Sequence, residues 1–318
     1  MAALAAIAKG ALLAEGWPSW RASPLPVALS MLLLAGCGGG GGSATPAQTN
    51  QPPVAAAKVA GEAVLQATTR FDTAGTADPD GNIASRSWNY GDGQTGSTDS
   101  HIYASAGSYT ATLTVQDNAG ASASVQVPVN VAKCSADGLA LAAGSPQRAT
   151  VCMQTNQGEL VLELFPAQAP VTVANFLAYV DAGFYNGTLF HRAEPGFVIQ
   201  GGGYTSGMVV KTATQAAIAL ESANGLPNNR YTVAMARTSV PDSATSQFFV
   251  NLADNAALNF NAALGQLNGY AVFGQLLLTS GTDAVLAAIE TAPATNVGGL
   301  RVINAANEVE IRSAIRVP

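Results

Sequence analysis

Arg192, Phe197 and Gln200 sit at fixed offsets in the segment Phe190-His191-Arg192-Ala193-Glu194-Pro195-Gly196-Phe197-Val198-Ile199-Gln200-Gly201-Gly202-Gly203, an otherwise apolar and glycine-rich stretch. Arginine carries a permanent charge on a rigid fork of donors, so it can aim a charge-assisted hydrogen bond at an atom that gains electron density in a transition state. A lysine would bring a mobile, strongly hydrated point charge instead. His191 precedes Arg192 but has no cysteine or serine partner in any recognisable arrangement, so it reads as structural rather than as a general base. The chain has two histidines and three cysteines, without CxxC or HExxH spacing, which leaves no credible set of metal ligands. No Lys/Arg cluster of the kind that tracks phosphate occurs, so nucleic acid is excluded as a partner.

Strands and helices must hold these residues in place. The 318 residues suit about two domains, and 48% hydrophobic content with only 11% charged residues argues for packed cores. From about Arg148 onward, Leu160, Leu162 and Leu164 alternate with Glu159, Val161 and Glu163, a strand pattern. Val173, Phe176, Leu177 and Val180 recur at helical spacing, with Pro170 in the first turn and Gly183 just past the end. Val285, Leu286 and Ile289 predict a second short helix. Upstream, over residues 54–132, Tyr109, Ala111, Leu113 and Val115, and then Val125, Val127, Val129 and Val131, alternate with polar residues. Asp78-Pro79-Asp80-Gly81 and Asp117-Asn118-Ala119-Gly120 supply turn chemistry between such strands, and Pro128 marks an edge.

The Phe190–Gly203 segment, followed in order by Met235-Ala236-Arg237-Thr238, Asp242-Ser243-Ala244-Thr245-Ser246-Gln247-Phe248-Phe249-Val250-Asn251 and Gly269-Tyr270-Ala271-Val272-Phe273-Gly274, resembles the active surface of cyclophilins. The resemblance covers residues 148–318 and implies an eight-stranded antiparallel β-barrel capped by two helices. It also implies peptidyl-prolyl cis-trans isomerase activity on proline-containing polypeptides, with no cofactor and no metal. Arg192 and Gln200 then become catalytic. Phe197, Val198, Phe249 and Leu258 become the socket for the proline ring, with Arg237, Gln247 and Tyr270 as further substrate-binding residues, although the side chain of Arg237 is expected to be incidental. Three departures stand out: Ala257 where cyclosporin-sensitive relatives carry tryptophan, Tyr270 where eukaryotic members carry histidine, and Ala193-Glu194 where two apolar residues are common. The last implies looser packing beside Arg192.

Asp78-Pro79-Asp80-Gly81, Trp88-Asn89-Tyr90-Gly91-Asp92-Gly93, His101-Ile102-Tyr103 and Gly107-Ser108-Tyr109-Thr110 resemble the polycystic-kidney-disease (PKD) repeat, a small β-sandwich. Such modules act as spacers or bind protein or polysaccharide. An EF-hand loop starting at Asp78 would need glycine at 83 and glutamate at 89, where this chain has Ile83 and Asn89, so that reading fails.

The first 36 residues carry Lys9 and Arg21, then an apolar run too short to span a bilayer but suited to a secretory signal. Leu34-Ala35-Gly36-Cys37 resembles a bacterial lipobox, which implies lipidation of Cys37 and an exported, membrane-anchored protein facing the periplasm, with Gly38 giving a slight preference for the outer membrane. Residues 37–53 read as a flexible Gly/Ser/Pro tether and 133–147 as a linker. Cys134 and Cys152 remain either as a disulfide or as two separate thiols. The reading is thus a lipid-tethered isomerase that assists folding of exported proteins. The competing readings are a low-turnover holdase for proline segments and a surface lipoprotein that binds protein or polysaccharide through its PKD-like sandwich.

Overall fold

The structure is a computed structural model, and it describes residues 49–144, 148–265 and 268–317. The signal segment, Cys37 and most of the tether lie outside the described residues.

The N-terminal sandwich is built from β1 (Lys58–Ala60), β2 (Ala63–Val64), β3 (Thr68–Asp72), β4 (Ile83–Asn89), β5 (Thr95–Gly96), β6 (Ser100–Ile102), β7 (Gly107–Asp117) and β8 (Ser122–Ala132). One sheet runs β1-β3-β6 and the other β2-β8-β7-β4-β5. The alternation read from the sequence holds: Ala111, Leu113, Val115, Val127, Val129 and Val131 all enter one core with Phe71, Trp88, Tyr90 and Tyr103. The polar tips of the two largest buried side chains, Trp88 and Tyr103, find partners, as burial favours. Trp88 Nε1 donates to Asp99 Oδ1 at 2.9 Å, and the Tyr103 hydroxyl donates to the Tyr90 carbonyl at 2.9 Å. Gly91 must be glycine: its φ is +86°, and a Cβ there would lie 2.5 Å from the Thr110 carbonyl oxygen.

The ordered edge of this domain begins before Val54. Asn50 donates to Asp117 Oδ2 at 2.8 Å, and the Gln51 N–H to Asp80. The end of the predicted tether is therefore tied down by these hydrogen bonds together with burial of Pro53.

The predicted linker contains a helix, α1 (Ala136–Ala143), which starts where the Ser135 side chain accepts from Gly138 N. Cys134 and Cys152 form a disulfide with Cα atoms 5.7 Å apart, joining this segment to the first barrel strand. Closing a loop of this size contributes about 3 kcal/mol in the chain-entropy account. Glu159 reinforces the joint: its carboxylate accepts from Ser135 N, Ser135 Oγ and Gln154 Nε2.

The second domain consists of β9 (Thr150–Thr155), β10 (Gly158–Leu164), α2 (Pro170–Asp181), β11 (Thr188–Glu194), β12 (Val198–Thr205), β13 (Val209–Val210), β14 (Thr232–Met235), β15 (Phe248–Asn251), β16 (Val272–Leu277), α3 (Thr282–Glu290), β17 (Ala294–Val297), β18 (Leu300–Ile303) and β19 (Val309–Val317). Eight strands close in the order β12-β15-β14-β16-β10-β9-β19-β11 and back to β12, every pair antiparallel. Closure removes the sheet edges that would otherwise invite further pairing. Leu160, Leu162 and Leu164 point into the barrel core, while Val161 between them packs outside with the two cysteines. Val173, Phe176, Leu177 and Val180 of α2 and Val285, Leu286 and Ile289 of α3 complete that core. The α2 start lacks a capping side chain of its own; Glu221 takes the role from a distant loop, accepting from Val171 N, Thr172 N and Thr172 Oγ. Gly183 ends it with φ +64°.

Candidate active site

Strand alternation alone would put Phe190 and Arg192 on the same side of β11. A register shift between them breaks the alternation: Phe190 pairs with Gly201, whereas Arg192 pairs with Gln200. Such a bulge re-aims side chains. Phe190 fills the barrel interior, and Arg192 emerges on the outer face with its side chain 20% exposed.

His191 is the extra residue of that bulge. It is buried, lies 4.6 Å from the Tyr204 ring centroid, and its Nδ1 has no hydrogen-bond partner. Burial pushes its pKa down to about 4, against a raising hydrogen bond with Leu189 and with a smaller lowering from the Arg192 charge. His191 is accordingly neutral at pH 7, which fits a packing role. The linkage has a definite sign. A histidine whose folded pKa is depressed stabilises the fold fully above its unfolded value near 6.5, and that stability is lost as pH falls from there through about 4. Urea unfolding at pH 7 and pH 4 should show a loss of about 3 kcal/mol from this residue. His191→Gln should lose less stability over the same interval, and identical slopes for the two proteins would remove the assignment.

One row of residues crosses five strands on the outer face. Arg192 lies opposite Gln200, Gln200 opposite Phe249, Phe249 opposite Ala234, and Ala234 opposite Val272. At its polar end, Arg192 Nη1 donates to Gln200 Oε1 at 3.3 Å and Gln200 Nε2 donates to Gln247 Oε1 at 2.9 Å. At its apolar end, Val198, Ala234, Phe249 and Val272 form a small cluster separate from the barrel core, with Phe197, Leu258 and Tyr270 packed against it. Tyr270 meets Phe249 edge-on at 5.5 Å. All nine substrate-facing and catalytic residues read from the sequence lie on or beside this row, including Arg237. The backbone comes unusually close at Gly202, φ +83°, where a Cβ would lie 2.8 Å from Tyr185 and 2.9 Å from the Ser246 carbonyl oxygen.

Two expectations need correction. The Arg237 side chain is not incidental: Nε and Nη2 both donate to the Gly269 carbonyl at 3.0 and 2.9 Å, and the guanidinium lies 4.7 Å from the Tyr270 centroid. It fixes the loop that presents Tyr270. Nor is the strand beside Arg192 loosely packed. Ala193 is fully buried in the barrel core, and Glu194 Oε1 accepts from Arg192 Nε at 3.2 Å and from Arg301 N at 2.7 Å.

Three asparagines were not singled out from the sequence, yet they hold the socket's far wall. Asn255 Nδ2 donates to the Phe197 carbonyl at 2.9 Å and to Asn251 Oδ1 at 2.7 Å; Asn228 Nδ2 donates to the Leu258 carbonyl at 3.1 Å. Asn228 and Asn251 are fully buried. Nothing in periodicity marks a buried amide whose partners are backbone atoms of another loop.

The family model described as cyclophilin type peptidyl-prolyl cis-trans isomerase matches residues 150–314, and a PKD domain model matches residues 50–131. Among curated relatives, peptidyl-prolyl cis-trans isomerase cyp18 of Streptomyces antibioticus is 54% identical over 136 residues, 43% of this chain and 80% of that protein. A peptidyl-prolyl cis-trans isomerase of Acinetobacter baylyi is 50% identical over 148 residues, 46% of this chain and 76% of that protein. Peptidyl-prolyl cis-trans isomerase B of Escherichia coli is 50% identical over 135 residues, 42% of this chain and 80% of that protein. A crystal structure of a cyclophilin type isomerase from Cryptosporidium parvum aligns at 27% identity and TM-score 0.44, over 54% of this chain and 98% of that one.

Proposed function

Because this chain belongs to the cyclophilin-type peptidyl-prolyl cis-trans isomerases, with a PKD domain ahead of the catalytic barrel, we propose that Arg192 and the neighbouring socket are where it turns X-Pro bonds in polypeptide substrates. The observation that carries this reading is the row itself, a cationic fork at one end and an apolar socket at the other, on one rigid sheet face.

Amide resonance sets a rotation barrier of about 18–20 kcal/mol. A turnover of order 1,000 per second corresponds to a barrier of about 13–14 kcal/mol, so the enzyme would have to supply roughly 5–6 kcal/mol. In the twisted transition state the prolyl nitrogen becomes pyramidal and regains its lone pair. A donor aimed at that atom interacts more strongly there than in the planar ground state, and only such differential interaction accelerates the step. A charge-assisted hydrogen bond contributes about 1.5–3 kcal/mol. Arg192 spends Nε on Glu194 and one Nη1 hydrogen on Gln200; Nη2 has no acceptor among the described residues and is the group we assign to the prolyl nitrogen. Phe197, Val198, Phe249 and Leu258 hold the pyrrolidine ring while the acyl side rotates, with Tyr270 closing one wall and Arg237 fixing it. Gln200 holds the arginine and offers its amide to the substrate backbone, and Gln247 holds Gln200. The test of this assignment is the exchange rate of a proline peptide, which Arg192→Ala should slow at least tenfold while affinity for the peptide falls less.

The working place of the enzyme is the second part of the proposal. The lipobox-like Leu34-Ala35-Gly36-Cys37 supports a mature protein that starts at acylated Cys37, faces the periplasm, slightly favours the outer membrane, and serves exported proteins as they fold. The disulfide suits an oxidising compartment. The PKD domain then acts as a spacer or as a binder of protein or polysaccharide. Mass spectrometry of the mature protein should find an acylated N-terminal Cys37, and Cys37→Ser should move the protein from the detergent phase to the aqueous phase. An unmodified Cys37 in mature material would remove the anchor.

A further inference from the structure

We infer that Glu194 is a positioning residue for the reaction: it aims the Arg192 guanidinium by holding Nε from one side while Gln200 holds Nη1 from the other. This rests on the reading of Arg192 as the catalytic donor.

The argument begins in the strand. Past the bulge, alternation resumes, so Arg192 and Glu194, two residues apart on β11, share the outer face. Their contact follows from that spacing, and Glu194 Oε1 receives the Arg192 Nε–H at 3.2 Å. A flexible glutamate would aim nothing, but this one is itself fixed. The same oxygen accepts Arg301 N at 2.7 Å, from the β18 strand. Arg301 in turn is clamped to the barrel by donating to the carbonyls of Ala193 at 3.0 Å, Glu290 at 2.8 Å and Ala292 at 2.8 Å. A chain of fixed groups thus runs from the end of α3 through β18 to the arginine.

The second hold on Arg192, the Gln200 contact, is a single bond at 3.3 Å about which the guanidinium plane can swing. Two holds on different nitrogens define the plane of the fork; one does not. Orientation matters because arginine has several rotatable bonds to lose, and a donor must sit within narrow limits to act on a developing lone pair. Both side chains are about three-quarters buried, at 20% and 24% exposure, so water competes only partly for the pair.

A carboxylate next to a catalytic cation could instead only damp its field, and the two roles predict opposite signs. If Glu194 aims Arg192, Glu194→Ala should lower kcat five- to tenfold with KM within twofold. Glu194→Gln, which keeps an oxygen able to accept from both Nε and Arg301 N, should stay within twofold of the native enzyme. The 15N relaxation of the Arg192 Nε–H should report a more mobile group in the alanine variant and not in the glutamine variant. In an Arg192→Lys background, which has no Nε–H, Glu194→Ala should change kcat by less than twofold. An increase in kcat for Glu194→Ala, or an equal loss in the arginine and lysine backgrounds, would overturn the proposal. Failure of the Arg192 reading looks different: Arg192→Ala alone would then retain full activity. A crippled Arg192→Ala beside an unaffected Glu194→Ala would remove the positioning role and leave the catalytic assignment standing.

Discussion

Truncating Phe249 to alanine is expected to reduce kcat/KM at least a hundredfold and to weaken binding of a proline peptide by a comparable factor. Phe249 is 4% exposed at the centre of the socket, opposite Gln200 on one side and Ala234 on the other, with Tyr270 edge-on to its ring. A socket grips the pyrrolidine ring in the ground state and in the transition state alike, so its loss removes uniform binding. The ring also packs against Val198 and Val272, and large-to-small changes at buried aromatics cost about 3–5 kcal/mol of stability. Urea unfolding must therefore accompany the kinetics. Phe249→Leu retains more of the volume and separates the effects, since it should restore most of the stability while only partly recovering peptide affinity. A folded Phe249→Ala protein with native affinity for proline peptides would place the socket elsewhere.

Much of this site was legible because most of its parts are concentrated in four short segments whose residue types are unusual for plain strands. Arg192, Gln200 and Phe249 turn out to be register partners on neighbouring strands, which is why their fixed offsets in sequence become one row in space. The alternation of β7, β8 and β10 was readable for the same physical reason, since one face of each is buried. The Cys134–Cys152 pairing was open in the sequence and is formed in the structure.

What escaped reading depends on contacts between distant segments. The bulge that turns Arg192 outward leaves no mark in composition; Phe190-His191-Arg192 reads as three ordinary strand residues. Glu194 read as a departure that loosens packing beside Arg192 because its second partner, the Arg301 N–H, lies 107 residues away. Glu221 reaches the α2 start from 49 residues downstream of Thr172. The helix α1 did have a local signal, Ser135 before an alanine-rich run with Gly144 after it, but eight residues are too few to be stable alone. It is the disulfide and Glu159 that hold it. Likewise Asn50 and Gln51 lie in a polar run with no apolar periodicity, and they are ordered by hydrogen bonds to Asp117 and Asp80 that no periodicity encodes.

The central claim is that Arg192 acts on the transition state more than on the bound substrate. Exchange spectroscopy on a peptide with one X-Pro bond reports isomerisation at equilibrium, without a coupling protease, and titration of the same sample reports affinity. Arg192→Ala should slow the catalysed exchange by at least ten- to a hundredfold, equivalent to about 1.4–2.8 kcal/mol of transition-state stabilisation, while affinity for the peptide falls by less than fivefold. Arg192→Lys should regain only part of the rate, because it restores the charge but not the fork that Glu194 and Gln200 hold. A folded Arg192→Ala protein that exchanges the peptide at the native rate would contradict the account and return Arg192 to the status of a surface charge.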